Sequence, residues 1–385
     1  MTPKNPPPTV TLALSLLFTL PVLSICQSPP SCRFESIISL GDSLADTGNL
    51  FRLSEPNVSR LPCSRPPYGE TFFHHPNGRY SNGRLIIDFI AESLGLPLVQ
   101  PYVGGRENSF EKGVNFAVAG ATALDHEYLE KMGIYNPYTN ASLGIQMDWF
   151  KHFLASLPDG KIFVQSSLIL LGEIGGNDYN IPLELGINPE ILRSLAPMVV
   201  EYIGRTLQEL IELGAKTILV PGNFPVGCFP AFLTMFMPDQ ENYYDPETGC
   251  INWLNEISRY HNELLQKELN RIQELYPHVS IIYADYYNAL MQIYLSPEEF
   301  GFGKRMLSAC CGGGGPYNYD KSAFCGFPSS ASCEDPSLYI SWDGLHLTEA
   351  AYKFLAQSLL GGRYSAPRFT TICSSQSPVA QVYEY

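Results

Sequence analysis

The chain is short of charge. Asp, Glu, Lys and Arg supply 16% of its 385 residues, too few for a coiled coil or a highly charged disordered segment. Basic residues are the scarcer kind: 24 Lys and Arg face 38 Asp and Glu, for a formal net charge of −14 and a pI near 4.9. No Lys/Arg cluster forms the basic footprint that nucleic acid requires, so nucleic-acid partners are excluded, and anionic membrane surfaces are disfavoured on the same ground. Cysteine never occurs as C-x-x-C, which removes the usual metal-binding spacing. The nucleophile elbow G-x-S-x-G is absent, which demotes the ordinary α/β-hydrolase fold. Four consecutive glycines at 312–315 lack the following Lys of a phosphate loop; a surface loop flanked by disulfides is the better reading.

Long apolar runs are also missing, except at the start. Lys4 precedes TVTLALSLLFTLPVLSIC, which is short for a spanning helix, is broken by Pro21, and ends on the small residues Ser24 and Cys26. This reads as a secretory signal peptide over residues 1–26. A single domain over 27–385, with its core at about 34–362, is then expected, without stable membrane insertion. Nine cysteines follow the cleavage point. In an oxidising compartment they are expected to pair; nine is odd, so one thiol is left over, and the connectivity stays open. Asn57 and Asn140 each begin an N-x-S acceptor. Together these features place the chain in the secretory pathway, bound for the cell exterior, the cell wall or the vacuole.

What the chain does have is alternation. SIISL (36–40), LILL (168–171), KTILV (216–220) and SIIYA (280–284) are nearly all apolar, as strands buried on both faces must be. Amphipathic runs lie between them. One spans 81–95 with Ser81 or Asn82 at its start; one spans 189–214 and is expected to kink or split at Pro197; one spans 252–277. A last one opens on Thr348 as N-cap with Glu349 in its first turn. Such alternation predicts a parallel sheet covered by helices on both faces, with ligands beyond the carboxyl ends of the strands.

Two polar loops fall at such ends. Gly41-Asp42-Ser43 follows the first strand, and Gly172 to Asn180 follows LILL. Gly-Asp-Ser alone is an ordinary turn. An acyl-transfer site also needs a base, a group to orient it and oxyanion donors. Of the seven histidines, His152 and His261 lie in helical runs and His278 follows a proline. His346 stands in SWDGLHLTEAA, on a loop three residues after Asp343, where the carboxylate can fold back onto Nδ1 and leave Nε2 for a serine.

These residues resemble the GDSL, or SGNH, hydrolases, in particular the large plant branch of secreted esterases and lipases. GDSLADTGN is similar to the block that carries the nucleophile and implies Ser43. GVNFAVAGATAL is similar to the block whose glycine lends a backbone N–H, implying Gly120. GGND implies Asn177 as a side-chain donor, and DGLHLT implies Asp343 and His346. The four blocks run in order along nearly the whole mature chain. The resemblance implies a flavodoxin-like α/β/α sandwich with a central parallel sheet of about five strands. It also implies a triad of Ser43, His346 and Asp343, an oxyanion hole of the Ser43 and Gly120 N–H groups with Asn177, and no metal or organic cofactor. Within the branch, NFAVAGATAL and IIYADYYNA are most similar to members of the acetylajmalan esterase and sinapine esterase type, so an acetyl or hydroxycinnamoyl ester of a small specialised metabolite is the expected substrate. An acyltransferase using the same acyl-enzyme, and a catalytically silent cell-wall binding or defence protein, are the alternatives. The joint pattern outweighs a two-carboxylate glycosidase built on Glu173 and Asp178.

Overall fold

In a computed structural model of the chain, which describes residues 34–105, 110–237 and 243–375, four five-residue strands form the centre. They are β1 (Ser36–Leu40), β4 (Ser167–Leu171), β5 (Thr217–Pro221) and β6 (Ser280–Ala284). β2 (Gln100–Pro101) and β3 (Gly113–Asn115) extend one side, and β9 (Ser365–Ala366) closes the other, in the order β2-β3-β1-β4-β5-β6-β9. All neighbours run parallel except β6 and β9. The register aligns Ile38 with Val114 and Ile169, then Ile169 with Ile218 and Ile218 with Ile281. The sheet thus has seven strands where about five were expected. The surplus is two-residue pairings at the edges, too short to leave an apolar run in the sequence.

The helices are α1 (Asn49–Leu53), α2 (Ile86–Ser93), α3 (His126–Lys131), α4 (Leu143–Ser156), α5 (Gly160–Ser166), α6 (Asn177–Glu184), α7 (Glu190–Glu212), α8 (Pro230–Met235), α9 (Asn252–Leu275), α10 (Tyr286–Leu295), α11 (Glu349–Leu360) and α12 (Phe369–Ser375). Helices α4, α5, α7 and α9 pack together, as do α2, α10 and α11. The two groups cover the two faces of the sheet and make the three layers of a sandwich.

Two helix expectations need correction. The first is α2, which starts at Ile86 and not at Ser81 or Asn82. Its N-terminal N–H groups are served from within: the Leu85 N–H donates to Asp88 Oδ2 (2.9 Å), and Arg79 grips the same carboxylate at 2.8 Å from both Nε and Nη2. Ser81 and Asn82 are instead spent on tertiary contacts. Ser81 Oγ donates to the Leu347 carbonyl, and Asn82 Oδ1 accepts the Glu349 N–H. The second is α7, which passes through Pro197 as one 23-residue helix. A proline removes one ladder bond, and the apolar side of α7 is buried along its whole length, which holds the helix together. Thr348 does cap α11, its Oγ1 accepting the Ala351 N–H.

Among the described residues, three disulfides join Cys228 to Cys250, Cys310 to Cys333 and Cys311 to Cys325. Cys63 is a buried free thiol. The side chains of Cys32 and Cys373, and the expected signal peptide, lie outside the described residues. The last two disulfides flank the short antiparallel pair β7 (Cys311–Gly312) and β8 (Ala331–Ser332) and bury a small core with Cys63, Tyr68 and Trp342. The glycine run is flanked by disulfides as expected, but it is a surface loop only in part: Gly312 is buried and paired in β7, and Gly315 is exposed. Breaking Cys311–Cys325 (sequence separation 14) by a Cys311→Ser, Cys325→Ser double substitution is expected to cost about 2–3 kcal/mol in a denaturant titration. An unchanged midpoint would show that the loop needs no staple.

Candidate active site

β1 ends at Leu40 because Gly41 turns the chain over the sheet edge. The turn is held by a side chain: the Gly41 N–H donates to Gln146 Oε1, and Gln146 Nε2 donates to the Gly41 carbonyl, both at 2.8 Å. The Asp42 N–H then bonds the Glu173 carbonyl beyond β4 (2.9 Å). Ser43 therefore rises from the C-terminal edge at a fixed point, half-buried, while its neighbours Gly41 and Asp42 are buried.

The far end of the chain meets it there. Trp342 N–H donates to the His346 carbonyl (2.7 Å), which pinches residues 342–346 into a tight loop. Gly344, at φ 102, makes the turn; a Cβ there would lie 2.4 Å from the Tyr319 ring. Inside the loop, Asp343 Oδ1 accepts the Leu345 and His346 N–H groups (3.0 and 2.8 Å). Asp343 Oδ2 lies 2.7 Å from His346 Nδ1, and His346 Nε2 lies 2.9 Å from Ser43 Oγ. A carboxylate only accepts, so Nδ1 carries the proton and Nε2 is left to accept from the serine hydroxyl. The His346 and Asp343 side chains are 13% and 9% exposed. The facing imidazole and the loop N–H groups hold the Asp343 carboxyl below its ordinary range, against the opposing effect of burial.

The expected donors lie on the other side of Ser43. Asp46 accepts four backbone N–H groups, from Gly48 (2.7 Å), Asn49 (2.6 Å), Leu50 (3.0 Å) and Ala119 (2.9 Å). It thereby caps α1 and ties the loop after Ser43 to the loop bearing Gly120. Gly120 sits at φ 81, and a Cβ would come within 2.5 Å of Tyr138 Cβ. Among the described residues, neither the Ser43 nor the Gly120 N–H has a protein acceptor. Asn177 opens α6, whose Asp178 accepts the Ala123 and Leu124 N–H groups and anchors the helix to the same loop. The Asn177 amide is occupied in this state, donating to the Ala121 carbonyl (2.9 Å) and to Asp42 Oδ2 (3.2 Å).

All five expected residues thus border one spot. Glu173 and Asp178, the pair of the rejected alternative, have other work. Asp178 bonds backbone, and Glu173 is 6% exposed beneath the Gly41-Asp42 turn with Oε2 unpartnered among the described residues. His261 is buried in α9 with Nδ1 against the Tyr179 hydroxyl (2.8 Å). Burial pushes it down to about 3, so it stays neutral. Among the described residues, no three His, Cys, Asp or Glu side chains converge to hold a metal ion. Sequence reasoning missed Asp46, Gln146, Tyr68 and Tyr80. Asp46 could have been found as an Asp just ahead of a helix start, and Gln146 as the one polar member of the α4 stripe Leu143, Met147, Phe150. Tyr68 and Tyr80 left no such signal.

The chain is similar throughout to proteins of one kind. The profile of the GDSL-like lipase/acylhydrolase family matches residues 37–359. Two GDSL esterase/lipases of Arabidopsis thaliana are each 54% identical, over 360 and 359 residues, and each alignment covers 92% of this chain and 92% of the relative. A third from the same plant is 52% identical over 370 residues, covering 94% of this chain and 95% of the relative.

Asp42 and Glu173 share one buried place, and burial pushes both up: Asp42 to about 7, with the Asp178 and Asp46 charges adding to the rise, and Glu173 well above its ordinary value, with the Asp42 charge adding to it. Asp42 accepts the Leu44 N–H and the Asn177 amide, whereas Glu173 has an oxygen with no donor; Glu173 is the member that holds the proton. The unfolded chain releases such protons near pH 4.5, so the folded state binds one more proton above that pH and loses stability as the pH rises. His261 acts oppositely, but only below its unperturbed value of 6.5. Between pH 6.5 and 8 the melting temperature is therefore expected to fall by about 1–3 °C, and Glu173→Gln to flatten that slope. A wild-type melting temperature independent of pH over this interval would contradict the assignment.

Proposed function

Because the chain belongs to the GDSL-like lipase/acylhydrolase family and is a carboxylic ester hydrolase, we propose that it cleaves its ester through an acyl-enzyme on Ser43. The observation that carries this reading is the hydrogen-bonded line from Asp343 through His346 to Ser43, at 2.7 and 2.9 Å. Ser43 Oγ attacks the ester carbonyl as His346 Nε2 takes its proton. Asp343 keeps the imidazolium in place without accepting the proton itself. The N–H groups of Ser43 and Gly120 receive the oxyanion, and the Asn177 amide joins them by exchanging Asp42 for the substrate oxygen. The imidazolium protonates the leaving alcohol; water, activated by His346, then releases the acid.

An acetyl or hydroxycinnamoyl ester of a small specialised metabolite is the proposed substrate. The half-exposed Tyr138 ring, packed against Gly120, gives the donors an aromatic neighbour and supports a compact or aromatic acyl group over a long flexible one. Secretion is proposed on the disulfides and on the exposure of both acceptor residues, Asn57 and Asn140. Among the described residues, no helix is long and apolar enough to cross a membrane.

Purified protein is expected to hydrolyse p-nitrophenyl acetate, and Ser43→Ala to lose that activity. Asn177→Ala should retain the fold and lower kcat on the order of 10²–10³-fold, as removal of one oxyanion donor does. Equal rates for wild type and Ser43→Ala would overturn the reading. A panel of acetyl, hydroxycinnamoyl and fatty acyl esters tests the substrate class.

A further inference from the structure

The disulfide-bounded core beside the site carries a polar group that its packing does not require. Tyr68 is 2% exposed. Its ring meets Trp342 and Tyr80 edge-on, with centroids 5.9 and 6.1 Å apart. A phenylalanine would fill that space equally well and would leave no hydroxyl to satisfy in an apolar cluster. Among the described residues the hydroxyl has one partner: it lies 2.8 Å from Asp343 Oδ2.

We propose that Tyr68 is a positioning residue of the triad: its buried hydroxyl donates to Asp343 Oδ2, the oxygen that also faces His346 Nδ1, fixing the carboxylate's orientation and spreading its charge. The inference rests on the triad reading above. Four donors then surround Asp343, two on each oxygen: the Leu345 and His346 N–H groups on Oδ1, and His346 Nδ1 and Tyr68 on Oδ2. That fills the accepting capacity of a buried carboxylate and leaves it one geometry. Burial and the neighbouring Asp343 charge hold the Tyr68 phenol well above its ordinary value, so it remains a donor. Tyr80 completes the setting, its ring tilted 37° against the imidazole at 4.7 Å between centroids.

The effect on chemistry has a definite sign. An Asp343 that shares its charge with Tyr68 binds a proton less avidly, so the proton between Asp343 and His346 stays on the ring. Without the phenol, the carboxylate stabilises the imidazolium more strongly and His346 becomes harder to deprotonate. The other ionisable groups facing this pair are Asp42 from the end of β1, Glu184 from α6, Tyr80 and Cys63 from the segment between α1 and α2, Tyr319 from the disulfide loop and Tyr352 from α11. Tyr68→Phe leaves all of these in place.

The test is the pH profile of p-nitrophenyl acetate hydrolysis by Tyr68→Phe. Loss of a hydrogen bond to a charged group should lower kcat about 3- to 30-fold with KM nearly unchanged. It should also move the acid limb of kcat/KM up by about half a pH unit or more. Tyr294→Phe, the same truncation at a buried tyrosine of α10, serves as control and should keep the wild-type profile. A fall in melting temperature with an unmoved acid limb and wild-type kcat would make Tyr68 a packing residue only and overturn the inference. Should Tyr68→Phe fail to fold, 3-fluorotyrosine at residue 68, a stronger donor of nearly the same shape, decides: an acid limb moved to lower pH supports the inference, and an unmoved one overturns it. Ser43→Ala separates the two readings. If that variant is dead while the Tyr68→Phe profile is wild-type, only the present inference fails; if Ser43→Ala is fully active, the triad itself is wrong.

Discussion

The carboxylate of Asp46 is the tie on which the arrangement around Ser43 depends. A parallel sheet delivers its strands to one edge but leaves the loops beyond that edge without a ladder, and their backbone N–H groups must find other acceptors. Asp46 takes four of them, three from the start of α1 and one from Ala119. The segment after the serine and the segment before Gly120 are thereby held to a single side chain. Asn115 and Asn49 extend the tie. Asn115 Nδ2 reaches the Ala45 carbonyl (2.6 Å), and Asn49 Nδ2 bridges the Asn115 and Ala117 carbonyls, both at 2.8 Å. Every one of these side chains is buried, so each bond is made away from competing water and is costly to leave unmade.

The opposite wall is built on another principle. Asp343 and His346 lie on a loop that no strand of the main sheet supports. What supports it is the disulfide-bounded segment: the Cys310 N–H bonds the Ser341 carbonyl (3.0 Å) and the Cys311 N–H bonds the Trp342 carbonyl (2.7 Å). The adjacent cysteines thus form a short splint alongside the residues that lead into Asp343, and two covalent links hold the splint to its own loop. A buried polar network fixes the serine side and a stapled loop fixes the histidine side, and the 2.9 Å contact between Ser43 and His346 is where the two meet.

The four central strands were legible to within a residue because burial on both faces leaves an unbroken apolar run that nothing else in the chain imitates. The residues of the proposed triad and its proposed donors could be named from the sequence because their blocks are short and contiguous: Asp343 and His346 are three residues apart, and Gly120 sits inside one run of twelve. What escaped were contacts whose partners are far apart in sequence. Tyr68 meets Asp343 across 275 positions and Gln146 meets Gly41 across 105, and such pairing leaves no local period or spacing. The boundary of α2 escaped for a related reason. Ser81 and Asn82 have the chemistry of helix caps, but the last loop of the chain makes better use of them. The edge strands escaped because two residues are too few to show a pattern.

Asn177 shows how a resting site can be ready for a charge it does not yet hold. Its amide has two N–H bonds to give. One is fixed on the Ala121 carbonyl at 2.9 Å, in the loop that follows Gly120; the other reaches Asp42 at the longer distance of 3.2 Å. On the proposed mechanism the second is the one to be exchanged, and the first keeps the amide aimed while that happens. Burial pushes the Asp42 carboxyl up to about 7, so above that pH the exchange is between two anions. It therefore becomes favourable only as the substrate oxygen gains negative charge, and a neutral ester carbonyl cannot displace a carboxylate. An amide held in this way discriminates between the ground state and the tetrahedral state by the charge on a single oxygen, which is the condition for a binding interaction to accelerate a reaction rather than merely retain its substrate.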